Sequence, residues 1–108
     1  MKFLKLSSLL LLFTLTSLGL NAQNNTSTIS QSGDANAALV NQAGALNGSD
    51  VEQVNGDNSA TVDQTGEENT STVFSRTYGS DVNTVDVDQI GDLNMSDVGQ
   101  NNGNNDAS

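Results

Sequence analysis

The apolar residues of this chain are isolated, and they fall on a ruler. One Val or Ile recurs at every eleventh residue, as Ile29, Val40, Val51, Val62 and Val73, and the series resumes at Val87 and Val98. Two residues before each stands a small or branched residue: Ser27, Ala38, Ser49, Ala60, Ser71, Val85 and Ser96. Four before stands an asparagine, Asn25, Asn36, Asn47, Asn58, Asn69, Asn83 and Asn94. Two after stands a glutamine, Gln31, Gln42, Gln53, Gln64, Gln89 and Gln100, with Ser75 in the fifth unit. A stub, Asn105 and Ala107, begins an eighth unit.

Marked positions at every second residue carry the period of a β-strand, whose side chains alternate between faces. An eleven-residue period also suits a right-handed coiled coil, but Gly, Asn, Thr, Ser and Val are indifferent or poor helix formers. After each strand comes a short connector, most often with a glycine: Gly33, Gly44, Gly56, Gly66 and Gly91. Glycine turns freely into positive φ, and Asp and Asn neighbours tolerate tight turns. The prediction is an all-β chain, strand and turn repeated.

Two strands and two turns make a coil of twenty-two residues, so strands at 25, 47, 69 and 94 stack on one wall and those at 36, 58, 83 and 105 on the other. This is a β-solenoid, a cross-β stack of about 3.5 to 4 coils, each touching only its neighbours. The Asn, Ala/Ser, Val/Ile and Gln positions then point inward as ladders, valine on valine and amide on amide at roughly 4.7–4.8 Å. Stacking complementarity explains why the stretch NTSTIS at 25–30 returns as NTSTVF at 69–74.

Composition changes the picture in two ways. Aromatic residues are 4% of the 108, with no Cys, Trp, Pro or His. Without the periodicity, that and the charge would predict disorder. The first twenty-two residues differ: Lys2 and Lys5, then a Leu/Phe-rich run to Leu20, then Asn21-Ala22. That is the layout of a secretory signal peptide cut after Ala22. Its removal leaves Arg76 as the one cation against thirteen acids, one minus thirteen giving a formal charge of −12. Such a polyanion is a poor partner for nucleic acid or an anionic membrane surface.

Catalytic chemistry is hard to find. Without His or Cys there is no Cys/His nucleophile pair and no soft-metal site. Asp86-x-Asp88-x-x-Gly91 lacks the oxygen spacing of an EF-hand, and no glycine-rich phosphate loop opens a helix. The expectation is a protein that is not an enzyme, with no cofactor, metal or small-molecule substrate.

The spacing Gln31-x-Gly33-x-x-Asn36-x-Ala38-x-x-x-Gln42, returning as Gln53…Asn58-x-Ala60-x-x-x-Gln64, resembles the curlin repeat of bacterial curli fibres. The family's leading Ser is Asn here, at Asn25, Asn47, Asn69 and Asn94; Asn55 and Asn102 hold a Gly position; and Ser75 replaces a Gln before a lengthened turn. The resemblance implies a secreted amyloid domain over 23–108, exported through a dedicated outer-membrane pore. It also implies polymerisation at the cell surface into biofilm matrix fibre, with a nucleator curlin as partner. The regular glutamine ladder favours a major-type subunit.

Neither end shows a cap, which predicts head-to-tail addition, the Asn105–Ser108 wall meeting the Asn25–Gln31 wall of the next copy. Outward acids are mostly spaced by neutral residues, Asp63 over Asp88 excepted, and their neutralisation should favour assembly. The segment 76–82, with Arg76 and Tyr78, interrupts the count and offers a gatekeeper or an accessory-protein contact. The rival is a monomeric ice-binding solenoid displaying the Thr26/Thr28 and Thr70/Thr72 pairs.

Overall fold

The computed structural model describes residues 24–78, 82–102 and 104–108. The leader expected over 1–22 and the centre of the insertion, 79–81, lie outside the described residues. Eight strands follow in order: β1 Thr26–Ser32, β2 Ala37–Ala45, β3 Gly48–Val54, β4 Asn58–Glu67, β5 Thr70–Arg76, β6 Asn83–Ile90, β7 Met95–Asn101 and β8 Asn105–Ala107. They form two four-stranded parallel sheets, β1-β3-β5-β7 and β2-β4-β6-β8. The expected all-β solenoid of about four coils is the fold observed, in the anticipated register: Val51 pairs Ile29 and Val73, and Gln64 pairs Gln42 and Gln89.

The core is a valine column closed by amides. Val51, Val62, Val73 and Val85 are essentially inaccessible, with Ala60 and Val87 beside them. Full burial of each valine contributes about 1.5–3 kcal/mol, too little in total to hold such a chain unless the remaining interior is hydrogen-bonded. The alternating burial of β6, in at Asn83, Val85, Val87 and Gln89 and out between them, follows the pleat directly.

The turns differ from the glycine-centred reading. Each regular arc uses two left-handed residues, the second and the fourth after the glutamine. The second is Gly33, Gly44, Asn55, Gly66, Gly91 or Asn102; the fourth is Ala35, Leu46, Asp57, Glu68, Leu93 or Asn104. Asn55 (φ 68°) and Asn102 (φ 66°) therefore take the glycine position itself, because asparagine is among the few side chains that enter this region readily. Gly56, expected as a turn glycine, sits between two left-handed residues and is not one itself.

Gly44 and Gly66 fall inside β2 and β4, in register with each other. A Cβ on Gly66 would drive into the carbonyl oxygen of Gly91, and one on Gly44 into that of Gly66. Stacking crowds these positions as much as φ does.

Candidate functional site: the amide-lined interior and its open edges

Two kinds of ladder run up the interior, and they donate in opposite directions. Asn69 donates through its backbone N–H (3.0 Å) and Nδ2 (3.0 Å) to Asn47 Oδ1 in the coil before. Asn94 repeats this on Asn69 Oδ1, and on the other wall Asn58, Asn83 and Asn105 donate to Asn36, Asn58 and Asn83. The glutamines donate towards the coil after. Gln31 Nε2 reaches Gln53 Oε1 at 2.7 Å, Gln42 reaches Gln64 at 2.9 Å, and Gln64 reaches Gln89 at 2.7 Å. Both amides in the side chains of Gln53 and Gln64 are fully buried, and burial of an amide is tolerable only when its bonds are made.

Five of the six ladder glutamines also span the interior. Gln42 donates to the Thr26 carbonyl, Gln53 to Ala37, Gln64 to Gly48, Gln89 to Thr70 and Gln100 to Thr84. These bonds tie the end of one wall to the start of the other within a coil. Asn36, Asn47, Asn58, Asn69, Asn94 and Asn105 each donate to a carbonyl four residues earlier, fastening the arc ahead of their own strand. Serine behaves otherwise: Ser49 and Ser71 bury their hydroxyls without a partner. They fill the column by size, which is why Ala38 and Ala60 occupy the same rung on the opposite wall.

The inward positions are not equally enclosed. Those of β3, β4, β5 and β6 are buried, whereas Asn25, Asn36, Ala38, Val40, Gln42, Asn94, Ser96 and Val98 are half-buried. Ser27, Ile29 and Gln31 of β1 are exposed, Ile29 at 46%. Gln100 is enclosed. At the far end β8 covers only Asn83, Thr84 and Val85 of β6. Beyond it Val87, Gln89, Ser96 and Val98 line an open pocket of about 470 Å³.

On the outer faces, Thr28, Asp50, Thr72 and Asp97 share a column, as do Thr26, Gly48, Thr70 and Met95. The threonine pairs are thus interrupted on alternate coils, which does not make the regular threonine array an ice surface requires. Asn41 Nδ2 donates to Asp63 Oδ1 at 2.6 Å, and Asp63 then faces Asp88 in register. Among the described residues, no group of three or more His, Cys, Asp or Glu is placed to hold a metal. Sequence reasoning missed the small polar cluster beside the insertion. There Thr77 is buried, donates to the Gly56 carbonyl, and accepts from Asn55 Nδ2 through its own carbonyl at 2.6 Å. The Arg76 guanidinium lies 5.1 Å from the Phe74 ring centroid. Thr77 stands two residues after Ser75, on the inward parity, which was the available signal.

Parallel strands stacked at a twenty-two-residue step, with amide ladders inside, define a β-solenoid. The family model described as the Curlin associated repeat matches residues 22–54, the span of β1 to β3. That stretch, about a third of the chain, is similar to the curlin repeat, and the same Asn and Val register continues to β7, with Ser75 in the glutamine place of β5. No curated protein and no solved structure matches the chain.

Proposed function

We propose that the chain is a secreted structural subunit that polymerises into curli-like functional amyloid fibres of the biofilm matrix, serving adhesion and aggregation. Its interior residues, from Asn25 to Gln100, would be the amyloid core, shared across copies. The observation that carries this reading is the polarity of the ladders at the two edges. The β1/β2 edge offers glutamine acceptors and asparagine donors; the β7/β8 edge offers glutamine donors and asparagine acceptors. A second copy continuing in the same sense brings its Asn25 and Gln31 to Asn94 and Gln100 and its Asn36 to Asn105, while its Gln42 meets no glutamine on β8; one facing the other way sets donor against donor.

The sheet order changes which strands would meet. β1 belongs to the β7 wall and β8 to the β2 wall, so same-sense continuation lays β1 on β7 and β2 on β8. The pairing of Asn105–Ser108 with Asn25–Gln31 expected from the sequence would cross walls. Export through an outer-membrane pore, nucleation by a partner curlin and the major-subunit role belong to the same reading, and the family match supports them only through kinship.

The test is incubation of the mature chain at micromolar concentration for a day, followed by thioflavin-T fluorescence and fibre diffraction. Fibres with a meridional reflection near 4.7–4.8 Å are expected. A chain that stays monomeric with a strand spectrum would overturn the proposal. Seeding of, and by, a partner curlin then separates major subunit from nucleator.

A further inference from the structure

The glutamine column is continuous on one wall and broken on the other. In the β2-β4-β6-β8 sheet the bonds run from Gln42 through Gln64 to Gln89. In the other sheet they run from Gln31 to Gln53 and stop, because register sets Ser75 between Gln53 and Gln100. Ser75 is fully buried, and its hydroxyl turns aside to Asn58 Oδ1 at 3.1 Å.

Three polar groups are left over by that one replacement. Gln53 Nε2 spends one N–H on the Ala37 carbonyl, and its second has no glutamine ahead. Gln100 Oε1 is buried and has no partner. The carbonyl of Ser59, which takes the place in the third coil that Ala37 and Thr84 hold in theirs, receives no side-chain donor. A serine hydroxyl stands where a methylene and a carboxamide would reach across. The difference is about two waters' share of liquid volume, at ~30 Å³ each.

We infer that the Ser75 row is a hydration site, holding two waters inside the stack. Gln53 and Gln100 stand two coils apart, at roughly 4.7–4.8 Å per coil, so two waters act in series. The first accepts from the free Gln53 N–H and donates to the Ser59 carbonyl and to the second, which donates to Gln100 Oε1 with the Ser75 hydroxyl alongside. That gives each the two to four polar partners a buried water needs. The column on this wall is then bridged by exchangeable molecules in place of an amide, next to the arc lengthened after Thr77. The inference rests on the fold alone and holds for the monomer as for any assembly.

Water-edited NMR on the full mature chain tests it, with side-chain amides as reporters. Polarisation from water should build up several-fold faster at Gln53 than at Gln64, and faster at Gln100 than at Gln89. Each pair is matched in enclosure, at 0% and 1% exposed, then 6% and 6%. Ser75→Gln should abolish both differences and raise the denaturant midpoint, by completing the ladder. Equal build-up within the pairs of the parent chain would overturn the inference, whether or not the variant folds. A Ser75→Gln chain that folds with a lowered midpoint would do so too, since the row would then be closed by packing.

Discussion

Gln64→Met separates the amide ladder from mere filling of space. Methionine nearly conserves the volume but removes all polar groups. Gln64 accepts from Gln42 at 2.9 Å, donates to Gln89 Oε1 at 2.7 Å and donates to the Gly48 carbonyl at 3.1 Å. The partners fare differently once it is gone. Gln42 is half-buried and keeps its bond to the Thr26 carbonyl. Gln89 is buried, and its Oε1 loses its one donor. Three net bonds at about 0.5–1.5 kcal/mol each, with part of the orphaning cost of a buried acceptor, give a loss of about 3 kcal/mol. That is a large share of the ~5–15 kcal/mol that holds a typical domain. Urea unfolding of residues 23–108 measures it. Thr72→Ala, an exposed outward position on β5, is the control and should change stability by less than ~0.5 kcal/mol. If Gln64→Met fell within that margin, the interior would be held by valine burial, and the ladder argument would fail.

Four further outcomes are expected. Gly66→Ala should prevent folding or cost more than about 3 kcal/mol, whereas Gly56→Ala should be far milder. Gly66 has φ 123° and a neighbouring carbonyl in the way, while Gly56 has ordinary φ and meets only the Asp34 carbonyl oxygen at 3.2 Å; circular dichroism melts of the two variants compare them. Leu46→Asn should stabilise by up to ~1 kcal/mol, since Leu46 is 53% exposed and held at φ 60°, against the usual loss on removing a leucine; chemical denaturation reads the sign. Asp88→Asn should raise stability by a few tenths of a kcal/mol and weaken its salt dependence, by removing the like charge facing Asp63; melts at low and high salt show both effects. Ser71→Ala should be neutral or stabilising by up to about 1 kcal/mol, because it deletes a buried hydroxyl with no partner, as a denaturant titration would reveal.

The walls, register and parity were legible in the sequence because one constraint, stacking, acts on every coil and repeats its demand each time. The step from Asn47 to Asn69, or from Gln42 to Gln64, needs no knowledge of the rest of the molecule. The arcs were legible only in part. Gly33 and Gly66 announce a left-handed residue, but Leu46 and Leu93 do not, since the fold imposes φ near 60° on them against their preference. Asn55 and Asn102 looked like departures from a glycine rule and are instances of a φ rule. The direction of amide donation left no trace in the order of residues either. An amide is symmetric as a letter, and only the relative offset of Asn and Gln side chains on adjacent coils decides which end donates.

That offset bears on how so acidic a chain could bear to stack. Like charges on successive rungs oppose addition of each new coil, and Asp63 over Asp88 shows the opposition is not fully avoided. The attraction that exceeds it has to be short-ranged, directional and repeated on both walls, which dispersion among a few valines is not. Amide ladders meet all three conditions, and their opposed donor senses make one stacking direction the satisfied one. Under the proposed polymerisation, the negative charge of residues 23–108 acts against lateral and disordered association, which gains no ladder bonds, while axial growth bonds the amides of Asn25, Gln31 and Asn36 at the joint.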